Sequence, residues 1–245
     1  MRILYPCDYL STKKPDEAFA DEATSFSASG REVSVINIDE LGTSAPFPPL
    51  SDSDEVLYRG WMLNADGYSK LDSFVRECGA TPFTNSSTYI STHHIPQWYP
   101  KLSDLTPETV VFSIDSELES ALAGLGWSSF FVKDYVKSLK TSFGSKIDDP
   151  KKIRTLIAEM EKFRGTIEGG LCVRRVEEFV PDSEIRYFVI DGVAYSPSGS
   201  EPPEIVLEVA RRIDSRFFSV DVTERTDGAL RVVEIGDGQV SDLVG

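Results

Sequence analysis

Residues 217–239 read FFSVDVTERTDGALRVVEIGDGQ, two apolar-polar alternating runs around Asp227-Gly228. Alternation with period two predicts strands, and Asp-Gly between them predicts a two-residue type I′ hairpin turn. That turn pairs Thr226 with Ala229 and places Asp221 directly opposite Glu234. One face then carries Val220, Val222, Val233 and Ile235, with Glu224 opposite Arg231 near the turn. The other face carries Ser219, Asp221, Thr223 and Glu234. Two carboxylates opposed at roughly 4–5 Å in a half-buried sheet repel by about 3–4 kcal/mol. A divalent cation would convert that repulsion into attraction. Asp237, three residues beyond Glu234, offers a third carboxylate. An all-oxygen set of this kind suits Mg²⁺ or Mn²⁺, with phosphate and water completing the shell. The alternative is a solvated acidic edge on a chain whose net charge is −15.

The charge disfavours nucleic-acid backbones and anionic membranes as partners. No run of about 18 apolar residues predicts a membrane span. The start, MRILYPCDYL, has no signal-peptide pattern. Three scattered cysteines, Cys7, Cys78 and Cys172, form neither a disulfide framework nor a zinc motif. The expected setting is the reducing cytoplasm. With only two histidines, His93 and His94, imidazole-based chemistry is disfavoured; the pair reads as surface or hinge residues.

The first hundred residues alternate strand and helix: Met1–Tyr5, a helix over Pro15–Ser29 stopped by Gly30, Glu32–Ile38, Glu55–Tyr58, and a helix over Tyr68–Cys78. This predicts a small parallel α/β unit whose ligand edge is the carboxyl ends of its strands, at Cys7–Lys14 and Arg59–Trp61. Asn85–Leu102 reads as a short helix and connector. Beyond it come a strand at Phe130–Val136, a helix over Asp149–Arg164, strands Leu171–Val180 and Glu184–Ile190, an Asp191-Gly192 turn into Val193–Tyr195, a helix over Pro202–Asp214 and the final hairpin. Ile153, Leu156, Ile157, Met160 and Phe163 share one face of the first of these helices. The whole is α/β plus α+β, divided into residues 1–100 and 101–245, with the boundary between Pro82 and Glu108.

Lys133 interrupts a buried strand, FFVKDY, and needs an anion or a path to solvent. The loop SLKTSFGSK after it offers hydroxyls, lysines and backbone N–H groups to a phosphate chain. An exposed loop of no special role is the plain alternative. Glu177, Glu178 and Glu184 bracket a hinge containing Pro181. Arg174 and Arg175 flank that hinge, and an ion pair from one of them to Glu177 or Glu178 accounts for both. Trp61, Trp98, Tyr99 and Tyr135 read as packing residues, with an aromatic wall as the alternative.

The order of these features resembles the ATP-grasp superfamily: a strand lysine, a small-residue loop, a hinge acid with an apolar companion, a second acid seven residues later and a terminal metal hairpin. FFVKDYVKS, EIRYFVIDG and VVEIGDGQVS look most like the short ATP-grasp proteins of bacteria and phages. The resemblance covers Ser128 to the C-terminus. It implies an ATP-grasp fold preceded by a Rossmann-like pre-ATP-grasp domain. It implies ATP and Mg²⁺ (or Mn²⁺) as cofactors. It also implies ligation of small-molecule or peptide carboxylates to amines through an acyl phosphate. A phosphotransferase and a non-catalytic nucleotide-binding module remain as alternatives. Lys133 would contact the α/β-phosphates, and Lys137 and Arg186 would assist charge neutralisation. Glu177, Glu178 and the backbone of Phe179 and Val180 would hold the adenine edge, and Glu184 the ribose. Asp221 and Glu234 would ligate the metal, with Asp237 as third ligand. Three departures stand out: Gly236 occupies the position of a usual asparagine, Ser219 that of a frequent arginine, and the chain ends soon after the metal loop.

Overall fold

The computed structural model describes residues 1–136, 138 and 144–242. The chain separates into two compact units. The first comprises Met1–Ile90 with Ser215–Phe218 and Asp237–Asp242; the second comprises Ser91–Asp214 and Ser219–Gly236. Both ends of the terminal hairpin thus group with the first unit, which a linear division does not anticipate.

In the first unit, β1 (Arg2–Pro6), β2 (Glu32–Ile36), β3 (Glu55–Tyr58) and β4 (Thr81–Pro82) form a parallel sheet in the order β2-β1-β3-β4. All five residues of β1 are buried, as a parallel strand covered on both faces requires. Helix α1 covers Ala20–Ala28 and α2 covers Ala65–Glu77. The second helix begins three residues before its expected start, because Asn64 caps it by accepting from the Gly67 N–H at 2.8 Å. At the carboxyl end of β3, Arg59 donates to both Glu22 oxygens and to the carbonyls of Gly238, Gln239 and Ser241, at 2.8–3.1 Å. Gln239 is buried and receives the Tyr58 N–H at 3.1 Å.

Helices α3 (Ser86–His93) and α4 (Ile95–Leu102) replace the expected short helix and connector. The second unit has two four-stranded sheets. Strands β5 (Thr109–Phe112), β6 (Phe130–Asp134), β7 (Lys146–Ile147) and β8 (Leu171–Arg175) pair antiparallel in the order β5-β8-β6-β7. Helices α5 (Leu118–Gly124) and α6 (Ile153–Arg164) cover it, burying Leu118, Leu122, Ile153, Leu156, Ile157 and Met160. Phe163, expected on that face, is exposed at the last turn. Strand β5 and helix α5 escaped the sequence reading because each is too short to show a period. The second sheet contains β9 (Ile185–Ile190), β10 (Val193–Tyr195), β11 (Phe217–Glu224) and β12 (Leu230–Asp237), in the order β10-β9-β11-β12. Helix α7 (Glu204–Arg212) buries Val206 and Val209.

The two Asp-Gly turns differ. Asp191 and Gly192 both have positive φ (46° and 79°), the two-residue type I′ turn. In the terminal hairpin only Gly228 does, at 85°, and Asp227 does not. Here the Arg225 N–H donates to Ala229 at 2.8 Å and the Gly228 N–H to Arg225 at 2.9 Å, which encloses three residues. The expected two-residue turn is therefore corrected. The cause is local: Asp227 accepts from the Ala229 N–H at 3.2 Å and pairs with Arg225 at 2.8 Å. A one-residue slip would invert every face of β12. Val232 and Ile235 are both buried while Val233 and Glu234 between them are not, so alternation slips back at Val233–Glu234, as at a bulge. Val232, not Val233, belongs to the core, and Glu234 remains on the polar face.

Candidate functional site

The polar face of the terminal hairpin is built from ion pairs rather than from opposed carboxylates. Asp221, buried on β11, receives two parallel bonds from Arg186 of β9: Nε to Oδ1 and Nη2 to Oδ2, both 2.7 Å. This fork is the strong, oriented form of a carboxylate–guanidinium contact. It raises the Arg186 pKa, with the hydrogen bond to Asp221 as main cause. Glu234 receives the Lys133 ammonium at 2.8 Å. Lys133 is 2% exposed, on β6 between the core residue Val132 and the buried Asp134. Burial alone would raise the Glu234 pKa, but Lys133, Arg174 and Arg186 outweigh it and hold the carboxyl below its usual range. The expected repulsion between Asp221 and Glu234 is thus answered by the protein's own cations.

Asp237 is buried at the end of β12. Its Oδ1 accepts from the Gln239 N–H at 3.0 Å and from the Gln239 amide at 3.1 Å, capping a short turn over Gly238–Val240 in the first unit. Among the described residues no group of three His, Cys, Asp or Glu side chains converges on a metal position. Of the three carboxylates expected as ligands, Asp221 and Glu234 belong to the second unit and Asp237 to the first.

Beside the hinge lies a cavity of about 310 Å³. Glu177, Phe179, Val180 and Glu184 line it, together with Phe131, Lys146, Arg174, Thr223 and Val233. Glu178 does not; it lines a separate polar recess of about 560 Å³ with Arg175, Arg225 and Arg231. Glu177 is committed to Arg231 at 2.8 and 3.0 Å, with Arg225 at 3.7 Å. It locks the hinge to the hairpin, which corrects the expected ion pair to Arg174 or Arg175. Arg175 instead lies 3.7 Å from Glu108. The Glu178 carbonyl accepts from the Thr226 N–H at 3.0 Å, and the Val180 N–H donates to Glu224 at 2.8 Å. Those two backbone groups serve the sheet.

Cross-strand pairing explains why Phe131, Lys146 and Arg174 escaped the sequence reading. Phe131 pairs with Lys146 on one side and Arg174 on the other, and Arg174 pairs with Thr109. Paired residues share a face, and so do residues two apart on a strand. Lys133 therefore follows Phe131 on the cavity face, with Cys172 beside it. The Cys172 thiol, fully buried, is pushed up to about 12 by burial, against the lowering fields of Lys133 and Arg174. Lys137 lies outside the described residues, as does most of the loop after it. His93 and His94, expected at the surface, are largely buried, and His94 Nε2 is 3.0 Å from Glu168. Trp98 is fully buried, as a packing residue should be; Trp61 is half-exposed and edge-on to Phe19.

Two four-stranded sheets with a hinge cavity and a cationic strand define a fold class, and the comparisons name it. Residues 124–245 match the family model described as ATP-grasp domain, R2K clade family 3. The chain belongs to the ATP-grasp superfamily. Its fold is similar to that of solved ATP-grasp structures. The D-cycloserine synthetase DcsG aligns with a TM-score of 0.65 at 13% identity, covering 97% of this chain and 92% of that one. The D-alanine-D-alanine ligase from Coxiella burnetii aligns with a TM-score of 0.65 at 15% identity, covering 100% and 88%. The macrocyclase MdnC from Microcystis aeruginosa MRC, bound to its precursor peptide MdnA, aligns at 0.63 and 11%, covering 99% and 92%. No curated protein matches the chain by sequence.

Proposed function

We propose that the chain is an ATP-dependent ligase that joins a carboxylate to an amine through an acyl phosphate, with residues 1–100 as a Rossmann-like pre-ATP-grasp domain and 101–245 as the ATP-grasp domain. The observation that carries this reading is the hinge cavity lined by Phe131, Lys146 and Arg174, with the buried Lys133 two residues beyond Phe131 on the same strand. The base would lie against Phe131 and Phe179, and Glu184, exposed beside the cavity, would take the ribose hydroxyls.

Asp221 and Glu234 fit a magnesium or manganese ion. Both are hard oxygen donors, and such ions take one or two carboxylates and complete their shell with phosphate and water. When bound, the ion would supply neutralising charge to the phosphates. Lys133 and Arg186, which now neutralise these same carboxylates, would turn to the phosphates. Each cation thus has a partner in both states, so no charge is stranded in the site. Lys137 is proposed to join them.

In the first step an oxygen of the substrate carboxylate attacks the γ-phosphorus and ADP leaves. In the second an amine nitrogen attacks the acyl carbon, phosphate leaves and the nitrogen loses a proton. The chain's own work is orientation and charge neutralisation. The structural neighbours include an enzyme named for a small-molecule product and one bound to a peptide, so both substrate classes are proposed. All three cysteines are free, in keeping with a reducing cytoplasm.

A coupled assay of ADP and phosphate release, run against pools of amino acids, small acids and peptides, tests the proposal. Release of both products, dependent on a carboxylate and an amine, is expected. A stable phosphorylated product would favour a phosphotransferase, and no turnover with any pool a non-catalytic nucleotide-binding module.

A further inference from the structure

Arg174 is 6% exposed and lines the hinge cavity. Its Nη1 donates to the Val233 carbonyl at 2.6 Å and its Nε to Thr109 Oγ1 at 3.4 Å. Its Nη2 is buried and has no hydrogen-bond partner among the described residues. A buried, unsatisfied guanidinium N–H is costly in a folded protein, so its persistence calls for a reason. A purely structural strut between β5 and β12 would be complete with the two bonds already made.

The sheet register shows where the remaining donor belongs. Lys146, Phe131, Arg174 and Thr109 form one cross-strand row, and Lys133 lies two residues beyond Phe131 on the same face, about 7 Å along the strand. Arg174 reaches the backbone of Val233 and Lys133 the side chain of Glu234, the next residue. The two cations therefore flank a single track along the face, Arg174 level with the aromatic Phe131 and Lys133 further on. An anion leaving the aromatic end of the cavity meets Arg174 first.

We propose that Arg174 binds the phosphate group nearest the base of the nucleotide, through Nη2, and that Lys133 takes the phosphates beyond it. This rests on the reading of the cavity as a nucleotide site and adds to it the residue that separates nucleotides from nucleosides. A guanidinium suits the place because one nitrogen can hold the ligand while the others remain anchored.

The test compares ADP with adenosine by calorimetry on the parent, Arg174→Gln and Arg174→Lys. Loss of one charge-assisted bond to phosphate should weaken ADP binding by about 10- to 100-fold in Arg174→Gln and leave adenosine within about threefold. Arg174→Lys should recover part of the ADP affinity. An Arg174→Gln variant that keeps the parent's ADP-over-adenosine preference would overturn the assignment, and so would equal loss for both ligands, the signature of a strut. Should the variants not fold, the Arg174 Nε–H resonance of the parent decides: it should move on adding ADP but not adenosine, and no movement with ADP overturns the assignment. A parent that binds neither ligand would overturn the nucleotide site itself, a result distinct from all of these.

Discussion

Replacing Glu234 by Gln separates two accounts of the hairpin. If opposed carboxylates dominated, removing one charge would stabilise the protein. The structure points the other way. Lys133 is 2% exposed, and its ammonium rests on Glu234 at 2.8 Å. Breaking a fully buried ion pair costs about 3–5 kcal/mol. The Glu234 side chain is 40% exposed, and Gln retains an oxygen acceptor, so solvent and the amide recover part of that. The expected loss is about 1–2 kcal/mol, the charged share of one hydrogen bond. With a urea slope of about 2–3 kcal/mol/M, the midpoint should fall by roughly 0.5 M. Trp98 fluorescence, from the core of the second unit, can follow it. The effect should depend on pH with a definite sign. The folded-state pKa of Glu234 is depressed, so its contribution is full above the unfolded value, about 4.3. It should vanish as pH falls through the lower folded value. Adding Lys133→Met to Glu234→Gln should recover part of the loss, since the buried charge is then removed. A single variant at least as stable as the parent at pH 7 would refute the reasoning and restore repulsion as the governing term.

Other expectations follow from the same geometry. Arg231→Gln should destabilise the second unit by about 2 kcal/mol, because it frees the half-buried Glu177 that ties hinge to hairpin; an unchanged urea midpoint would count against that tie. Cys172, with its thiol pushed to about 12, should resist a disulfide reagent at pH 8 until denaturant is added, while the partly exposed Cys7 and Cys78 react in the native protein; three fast thiols would contradict its burial. ADP with Mg²⁺ should raise the thermal midpoint well beyond Mg²⁺ alone, since phosphates complete the metal shell. Equal shifts would count against a metal whose shell the nucleotide phosphates complete.

The superfamily was legible because its signals are local: a lysine inside an apolar strand, a proline-containing hinge between acids, and Asp-Gly flanked by alternating residues. Pairing was not legible. The same Asp-Gly dipeptide makes a two-residue turn at 191–192 and a three-residue loop at 226–228, where Asp227 is held by Arg225 and by the Ala229 N–H. Arg174 looked like a partner for Glu177 on proximity along the chain, whereas Glu177 is held by Arg231, more than fifty residues away. Asp221 and Glu234 looked like a repelling pair because the cations that answer them come from distant parts of the chain: Arg186 from β9, the sheet neighbour of β11, and Lys133 from β6 of the other sheet. Ion-pair partners across sheets depend on register, and register depends on turns and bulges that a period-two pattern does not encode.

The proposed reaction is phosphoryl transfer to a carboxylate followed by displacement of the phosphate by an amine. Oxygen-18 placed in the carboxylate of a substrate found in the pool assay tests it most directly. In a ligase the attacking oxygen stays on the phosphoryl group, so one labelled atom should appear in the released phosphate for each product formed. Unlabelled phosphate, or label retained in a stable phosphorylated product with no phosphate released when amine is supplied, would contradict the account.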